Sequence, residues 1–374
     1  MKNLVILEDS SKVTFGGGQK GTLEIIDVLK DKFKLFLFDC SKNSIFQEKI
    51  QQFDKYLTKL DLKCKGELKG GENSSFSVGY KEVFLFPFFI FYNLFILLKF
   101  VKQYSLNKNN TIFYTSNKKH LLILFMLHKV SNIEYIFHAR TYDDKNSKFY
   151  KLMIPALKNA KYNICVSDFI KQNIGYKNCI TLYNPLKIDK KYYSFHKPKT
   201  LKKEIIIATA SELLKWKGIE YFIKSYQYLP KEYNIKYYIY GKGKEEENLK
   251  KLAKSKNIIF KGFNNKLFEE FINIVDIIVV PSISPESFGR TSVEGSFFGV
   301  VPIASKLGGQ IELLSKIDEN LLFEPKNEKE IAKKIEYAIE NYNNLSKKSV
   351  EFSDTLNYEK FMKNILNIFE SIKE

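Results

Sequence analysis

The chain has 374 residues, 44% of them hydrophobic, and a formal net charge of +18. That is too long and too apolar for a disordered tail or a small disulfide-stapled module, and two domains are the default expectation. The four cysteines, Cys40, Cys64, Cys165 and Cys179, stand at no metal-ligand spacing, so free thiols in a reducing compartment are expected.

In chain order, residues 4–7 read as a first buried strand directly after Met1-Lys2-Asn3, with no secretory leader. Next comes Thr14-Phe15-Gly16-Gly17-Gly18-Gln19-Lys20-Gly21. Glycines opening a helix let backbone amides approach an anion, with a plain flexible turn as the alternative. Residues 33–38 read as a second strand. Residues 83–100, VFLFPFFIFYNLFILLKF, are nearly all apolar, interrupted by Pro87 and Asn93, with Lys99 and Lys102 at the end. Three readings compete: a buried helix of an α/β domain, a helix docked in the membrane plane, and a true span. A span would cut a sheet in half, and the aromatic bulk with nearby lysines favours docking.

Further strands are expected at 111–115, 134–137, 162–166 and 180–183. His138 ends the 134–137 strand, and Arg140 follows it. Only two of the chain's 60 basic residues are arginines, Arg140 and Arg290, and a guanidinium offers phosphate a rigid fork that lysine lacks. His120, His128 and His196 stand at no metal-ligand spacing. A joint rich in Lys and Tyr covers 189–203. The alternation then repeats with strands at 205–208, 237–240, 258–260, 276–280, 300–304 and 321–323. Short buried strands alternating with helices predict parallel sheets covered on both faces, with ligand at the strands' carboxyl ends. The fold class is therefore α/β, with doubly wound domains over 1–192 and 200–356.

The charge is one-sided. Residues 1–200 carry 33 Lys/Arg against 17 Asp/Glu, and residues 201–374 carry 27 against 25. A basic first half suggests an anionic partner surface: phospholipid, a lipid diphosphate or nucleic acid. A merely Lys-rich solvated surface is the plainer alternative.

Residues 281–309, PSISPESFGRTSVEGSFFGVVPIASKLGG, carry the strongest chemical signal. They read as a strand end, a loop bearing Glu286, a helix over 289–298 bearing Glu294, a return strand and a Gly-rich turn. Backbone amides near Phe288, Gly289 and Arg290 would be unpaired at the helix start, where the dipole also favours an anion. Gly289 lets a ligand approach the backbone. Acid, anion site, acid suits a nucleotide sugar: carboxylates for hydroxyls, amides for the diphosphate between them.

Those residues resemble the Glu-x7-Glu signature of the family-4 (group 1) retaining glycosyltransferases of GT-B fold. The pattern is present as Pro281-Ser282, Glu286-Ser287-Phe288-Gly289, Glu294, Gly299-Val300-Val301-Pro302 and Gly308-Gly309, with Glu312 following. The resemblance implies two Rossmann-like domains facing a central cleft, with the last helix, 357–374, packing back on the first. It implies catalytic roles for Glu286, His138, Lys217 and Arg290. Donor contacts would come from Glu294, Gly289, Phe288, Gly17, Gly18, Gly241, Phe263 and Gly309. Lys217-Gly218 matches the end of the family's Gly-Arg-Leu-x3-Lys-Gly pattern, where the lysine neutralises the leaving diphosphate. Ser211 and Glu212 depart from its start. Tyr240-Gly241-Lys242-Gly243 and Phe260-Lys261-Gly262-Phe263 resemble segments lining the base, and Asn184-Pro185 a turn near the joint.

The expected activity is transfer of a sugar from a nucleoside diphosphate sugar, UDP ahead of GDP, with retained anomeric configuration and no metal or further cofactor. The expected acceptor is a glycan or a polyprenyl-diphosphate-linked chain in surface-glycan assembly, at the anionic inner face of the cytoplasmic membrane. Nucleic acid is not an expected partner, because no aromatic-basic motif supports it. A non-catalytic partner subunit and a GT-B sugar-nucleotide epimerase are the alternatives.

Overall fold

The computed structural model describes residues 1–9, 17–39, 44–61, 80–264 and 266–371. Thr14, Phe15 and Gly16 of the glycine loop, and Cys40 and Cys64, lie outside the described residues. The chain divides into two units, Met1–Tyr183 with Phe361–Glu374, and Asn184–Lys360.

The first unit carries β1 (Asn3–Glu8), β2 (Lys34–Asp39), β3 (Leu57–Asp61), β4 (Thr111–Thr115), β5 (Glu134–Ala139), β6 (Tyr162–Cys165) and β7 (Cys179–Thr181). Among the described residues these form one sheet in the order β3-β2-β1-β4-β5-β6-β7. Every pairing is parallel. Leu4, Val5, Ile6, Ile112, Phe113 and Tyr114 are fully buried, as strands covered on both faces require. Helices between them start on side-chain caps: Asn117, Ser147 and Ser167 each accept a backbone amide. β3 was not read from the sequence. It is an edge strand, LTKLD, whose polar alternation lacks the apolar run of its neighbours.

The second unit carries β8 (Glu204–Ala210), β9 (Asn234–Tyr240), β10 (Ile258–Gly262), β11 (Ile277–Val280), β12 (Val301–Ser305) and β13 (Leu322–Phe323). Their order is β10-β9-β8-β11-β12-β13, again parallel throughout. In both sheets the strand order reverses beside the first strand, between β1 and β4 and between β8 and β11. Helices leave opposite faces of the sheet there, which opens a crevice at the carboxyl ends.

The division falls between Tyr183 and Asn184, earlier than the expected 192–200. The physical reason is that the following segment is bonded into the second unit. Leu186 N–H donates to Leu356 O at 2.8 Å, and the two nitrogens of His196 lie 2.8 Å from Phe297 O and 2.9 Å from Asp354 Oδ1. Lys199 Nζ donates to the carbonyls of Phe271 and Val275. The last helix, Tyr358–Glu370, buries Phe361, Ile365 and Phe369. Phe369 stacks edge-on to Phe33 at 5.9 Å in the first unit, which is why residues from Phe361 onward belong there.

Candidate functional site

Four loops interlock at the carboxyl ends of β8, β9, β11 and β12. Glycines set how closely they approach. Gly218 (φ +63°) sits where a Cβ would overlap Pro281 O, and Ile283 N–H donates to Trp216 O at 2.8 Å. These contacts pin the 215–218 turn, and with it Lys217, against the loop after β11. At Gly308 (φ +61°) a Cβ would overlap Glu286 O, and at Gly309 it would lie 2.6 Å from Ser287 O. Gly309 N–H donates to Glu286 O at 2.7 Å. The Gly-Gly turn is thus the backbone support of Glu286. Gly241 (φ +133°) packs likewise on Ser211 O.

These contacts bring two of the expected side chains together. Lys217 Nζ lies 2.6 Å from Glu286 Oε1, and Ser282 Oγ donates to the same oxygen at 2.6 Å. Both charged side chains are about 15% exposed, so the pair is partly shielded from water and stronger than a surface pair. Among the described residues no group donates to Oε2, which leaves one carboxylate oxygen for a ligand. Next to the pair begins the helix Arg290–Phe297. Its N-cap is Gly289, φ +101°, with no side-chain cap. The positive end of that helix's dipole favours an anion there. Behind Gly289 sits the fully buried Gln310, which accepts from Ser292 Oγ at 3.1 Å and occupies the space a Cβ would need.

Lys217, Ser282, Glu286, Gly289, Arg290 and Gln310 all line one cleft at the β8/β11 reversal. Other expected residues do not line it. Glu294 is half-buried on the helix. Phe288 is buried and acts in packing. Phe263 is 73% exposed beyond β10. Glu212 is exposed and outside the lining. Ser282 and Gln310 were not assigned roles from sequence. Their position beside the Pro-Ser and Gly-Gly turns was the available signal.

The first unit holds a separate constellation at the β1/β4 reversal. His138 is 2% exposed, with Nδ1 2.8 Å from Tyr114 Oη and 3.2 Å from Arg140 Nη2. A guanidinium only donates, so Nδ1 is the acceptor in that contact. Arg140 Nη2 also donates to Tyr114 Oη at 2.9 Å, while Nη1 donates to Gly18 O. The guanidinium sits where a Cβ on Gly21 would lie. Arg140 was read as a fork for phosphate. Here it clamps the start of the helix Gly17–Leu29 to the His138 strand. Burial pushes the Tyr114 phenol up to about 12, with Arg140 opposing. Burial also raises the Glu8 carboxyl, which accepts from Thr22 Oγ1 at 2.6 Å. Gly17 and Gly18 are exposed, and a Cβ on Gly18 would meet nothing within 4 Å.

Residues 193–365 match the family model "Glycosyl transferases group 1". An uncharacterized glycosyltransferase of Methanocaldococcus jannaschii, MJ1069, is 31% identical over 255 residues, 62% of this chain and 64% of that protein. The O-antigen biosynthesis glycosyltransferase WclY of Escherichia coli is 29% identical over 172 residues, 45% of this chain and 47% of that one. The chain thus matches between about half and two thirds of the length of these relatives. In fold it is similar to Anabaena HepE, solved in complex with UDP and glucose, with a TM-score of 0.74 at 16% identity over 99% of this chain and 100% of that one. The fold is α/β of the GT-B class.

Proposed function

We propose, from the match of residues 193–365 to the group 1 glycosyl transferase model, that the chain moves a sugar from a nucleoside diphosphate sugar to a glycan or lipid-linked acceptor with retained configuration. The observation that carries the reading is the Lys217–Glu286–Ser282 cluster beside the uncapped helix start at Gly289. Amides at Gly289 and Arg290, the Arg290 guanidinium and Lys217 would take the diphosphate. Glu286 Oε2 would accept from a sugar hydroxyl, and Glu294 from the ribose. UDP is the favoured nucleotide, a choice supported by the UDP bound in HepE.

The chemistry balances without an enzymatic nucleophile. The bond from the anomeric carbon to the phosphate oxygen breaks, and the bond to the acceptor oxygen forms on the same face. The acceptor proton passes to the departing phosphate. Fixed cations and amides stabilise the growing charge, so no metal is needed. Surface-glycan assembly is the favoured setting, supported by the O-antigen role of WclY.

The test is incubation with a panel of UDP- and GDP-sugars, followed by release of the free nucleotide. Donor turnover that disappears in Glu286→Ala and Lys217→Ala supports the reading. Turnover that persists in both rejects it.

A further inference from the structure

The helix Tyr80–Gln103 is divided lengthwise. Ile90, Leu94, Leu97 and Phe100 are buried, and the Phe100 ring stacks 5.2 Å from Phe36 and 4.9 Å from Phe38 on β2. Asn93 is fully buried and donates to Phe89 O at 2.8 Å. That face is part of the core of the first unit. The opposite face exposes Phe88 (67%), Phe91 (61%), Tyr92 (47%) and Phe95 (54%), at the i, i+3, i+4, i+7 spacing of one helix side. By length and composition Phe86–Gln103 would suit a membrane span, but its buried side is packed on a sheet. A span would require tearing Phe100 and Leu97 from that core.

Charge around this face is mostly basic, with Asp143 paired to Lys118 at 2.5 Å. Phe86–Gln103 contains no Asp or Glu, and neither do the helices Lys118–Ser131 and Lys148–Asn159. The first helix packs on the second and the second on the third, so all three belong to one layer. Lys99, Lys102, Lys129, Lys148 and Lys151 are exposed on it. Lys99 Nζ lies 4.4 Å above the Phe95 ring, which places a cation at the margin of the aromatic row.

We propose that this layer docks in the plane of an anionic lipid bilayer, with Phe88, Phe91, Tyr92 and Phe95 inserted at the interface and the lysines on the headgroups. An apolar row with a mostly basic rim matches an occupant that is apolar and anionic at once. Nucleic acid would satisfy the lysines and leave the aromatic row in water. The surface lies wholly in the first unit and uses no donor-site residue, so its failure would leave the transferase reading standing. It deepens that reading by favouring an acceptor presented at a membrane.

The experiment is flotation of the full chain with vesicles of phosphatidylcholine alone or mixed in equal parts with phosphatidylglycerol. Binding only to the anionic vesicles, weakened by high salt, is the expected result. A variant with Phe88→Ser, Phe91→Ser and Phe95→Ser should keep its circular dichroism spectrum and lose binding by roughly tenfold or more. A folded triple variant that floats like the parent overturns the proposal, and so does a triple variant that unfolds, since these rings would then be core. As an independent readout, Phe91→Trp should gain quenching by brominated lipid over the parent, and no gain overturns the insertion. Binding of an oligonucleotide without vesicle binding overturns it in favour of nucleic acid.

Discussion

Lys217 Nζ and Glu286 Oε1 lie 2.6 Å apart, although 69 positions separate the two residues in sequence. Three backbone devices produce that contact: Gly218 against Pro281, Ile283 bonded to Trp216, and Gly309 bonded to Glu286. The lysine is thereby held next to the helix start while half of the carboxylate stays available. Glu286→Ala should lower turnover while leaving UDP affinity nearly unchanged, because it removes a sugar contact. Lys217→Ala should weaken both, losing a charged hydrogen bond worth about 1.5–3 kcal/mol, or about ten- to a hundredfold. Steady-state kinetics with calorimetric UDP titration separate the two patterns. Identical effects on UDP affinity would contradict the assigned roles.

The glycines that build the cleft should tolerate no side chain. Gly308→Ala adds a Cβ at φ +61° onto Glu286 O. A loss of about 1–3 kcal/mol in urea unfolding is expected, together with a fall in turnover as Glu286 is displaced. Gly18→Ala meets nothing within 4 Å and should leave stability within about 1 kcal/mol. A large stability loss at Gly18 with none at Gly308 would reverse the packing argument.

Transfer should survive EDTA, since Lys217, Arg290 and the helix amides supply the positive field at the leaving diphosphate. Activity abolished by chelation and restored by magnesium or manganese would require a metal in that role.

Lys199 offers a pH signature of the second unit's fold. Burial pushes its ammonium down to about 8, despite Asp276 nearby. Below that pH both the folded and unfolded chains hold the proton. Between about 8 and the ordinary lysine range the unfolded chain holds a proton the folded one has released, so this residue's contribution to stability rises with pH. Relative to Lys199→Met, the wild type should gain about 1–2 kcal/mol between pH 7 and pH 10. A difference that stays flat across that range would contradict the shift.

Much of this organisation was legible from residues. Buried runs such as residues 111–115 and 205–208 announced parallel strands because both faces are covered. The Pro-Ser, Gly-Gly and Lys-Gly positions marked the cleft because each needs a turn or a close approach. β3 was missed because an edge strand can carry polar alternation. The role of Arg140 was missed for a different reason. Its three partners, Gly18, Tyr114 and His138, come from separate elements, and only the β1-β4-β5 adjacency brings them together. The competing readings of residues 83–100 could not be resolved by hydropathy, since the two faces of the helix are almost equally apolar. What separates them is the core each residue meets: Phe100 stacks on β2 and Phe91 does not.

The central claim is that the cleft at the β8/β11 reversal binds a nucleoside diphosphate. Calorimetric titration of UDP into the wild type, Arg290→Met and Lys217→Ala tests it most directly. The expected result is one saturable site in the wild type, weakened about tenfold or more in each variant, since each loses a charged partner of the diphosphate. Absence of binding by UDP and GDP alike, or an affinity unchanged in both folded variants, would contradict the account.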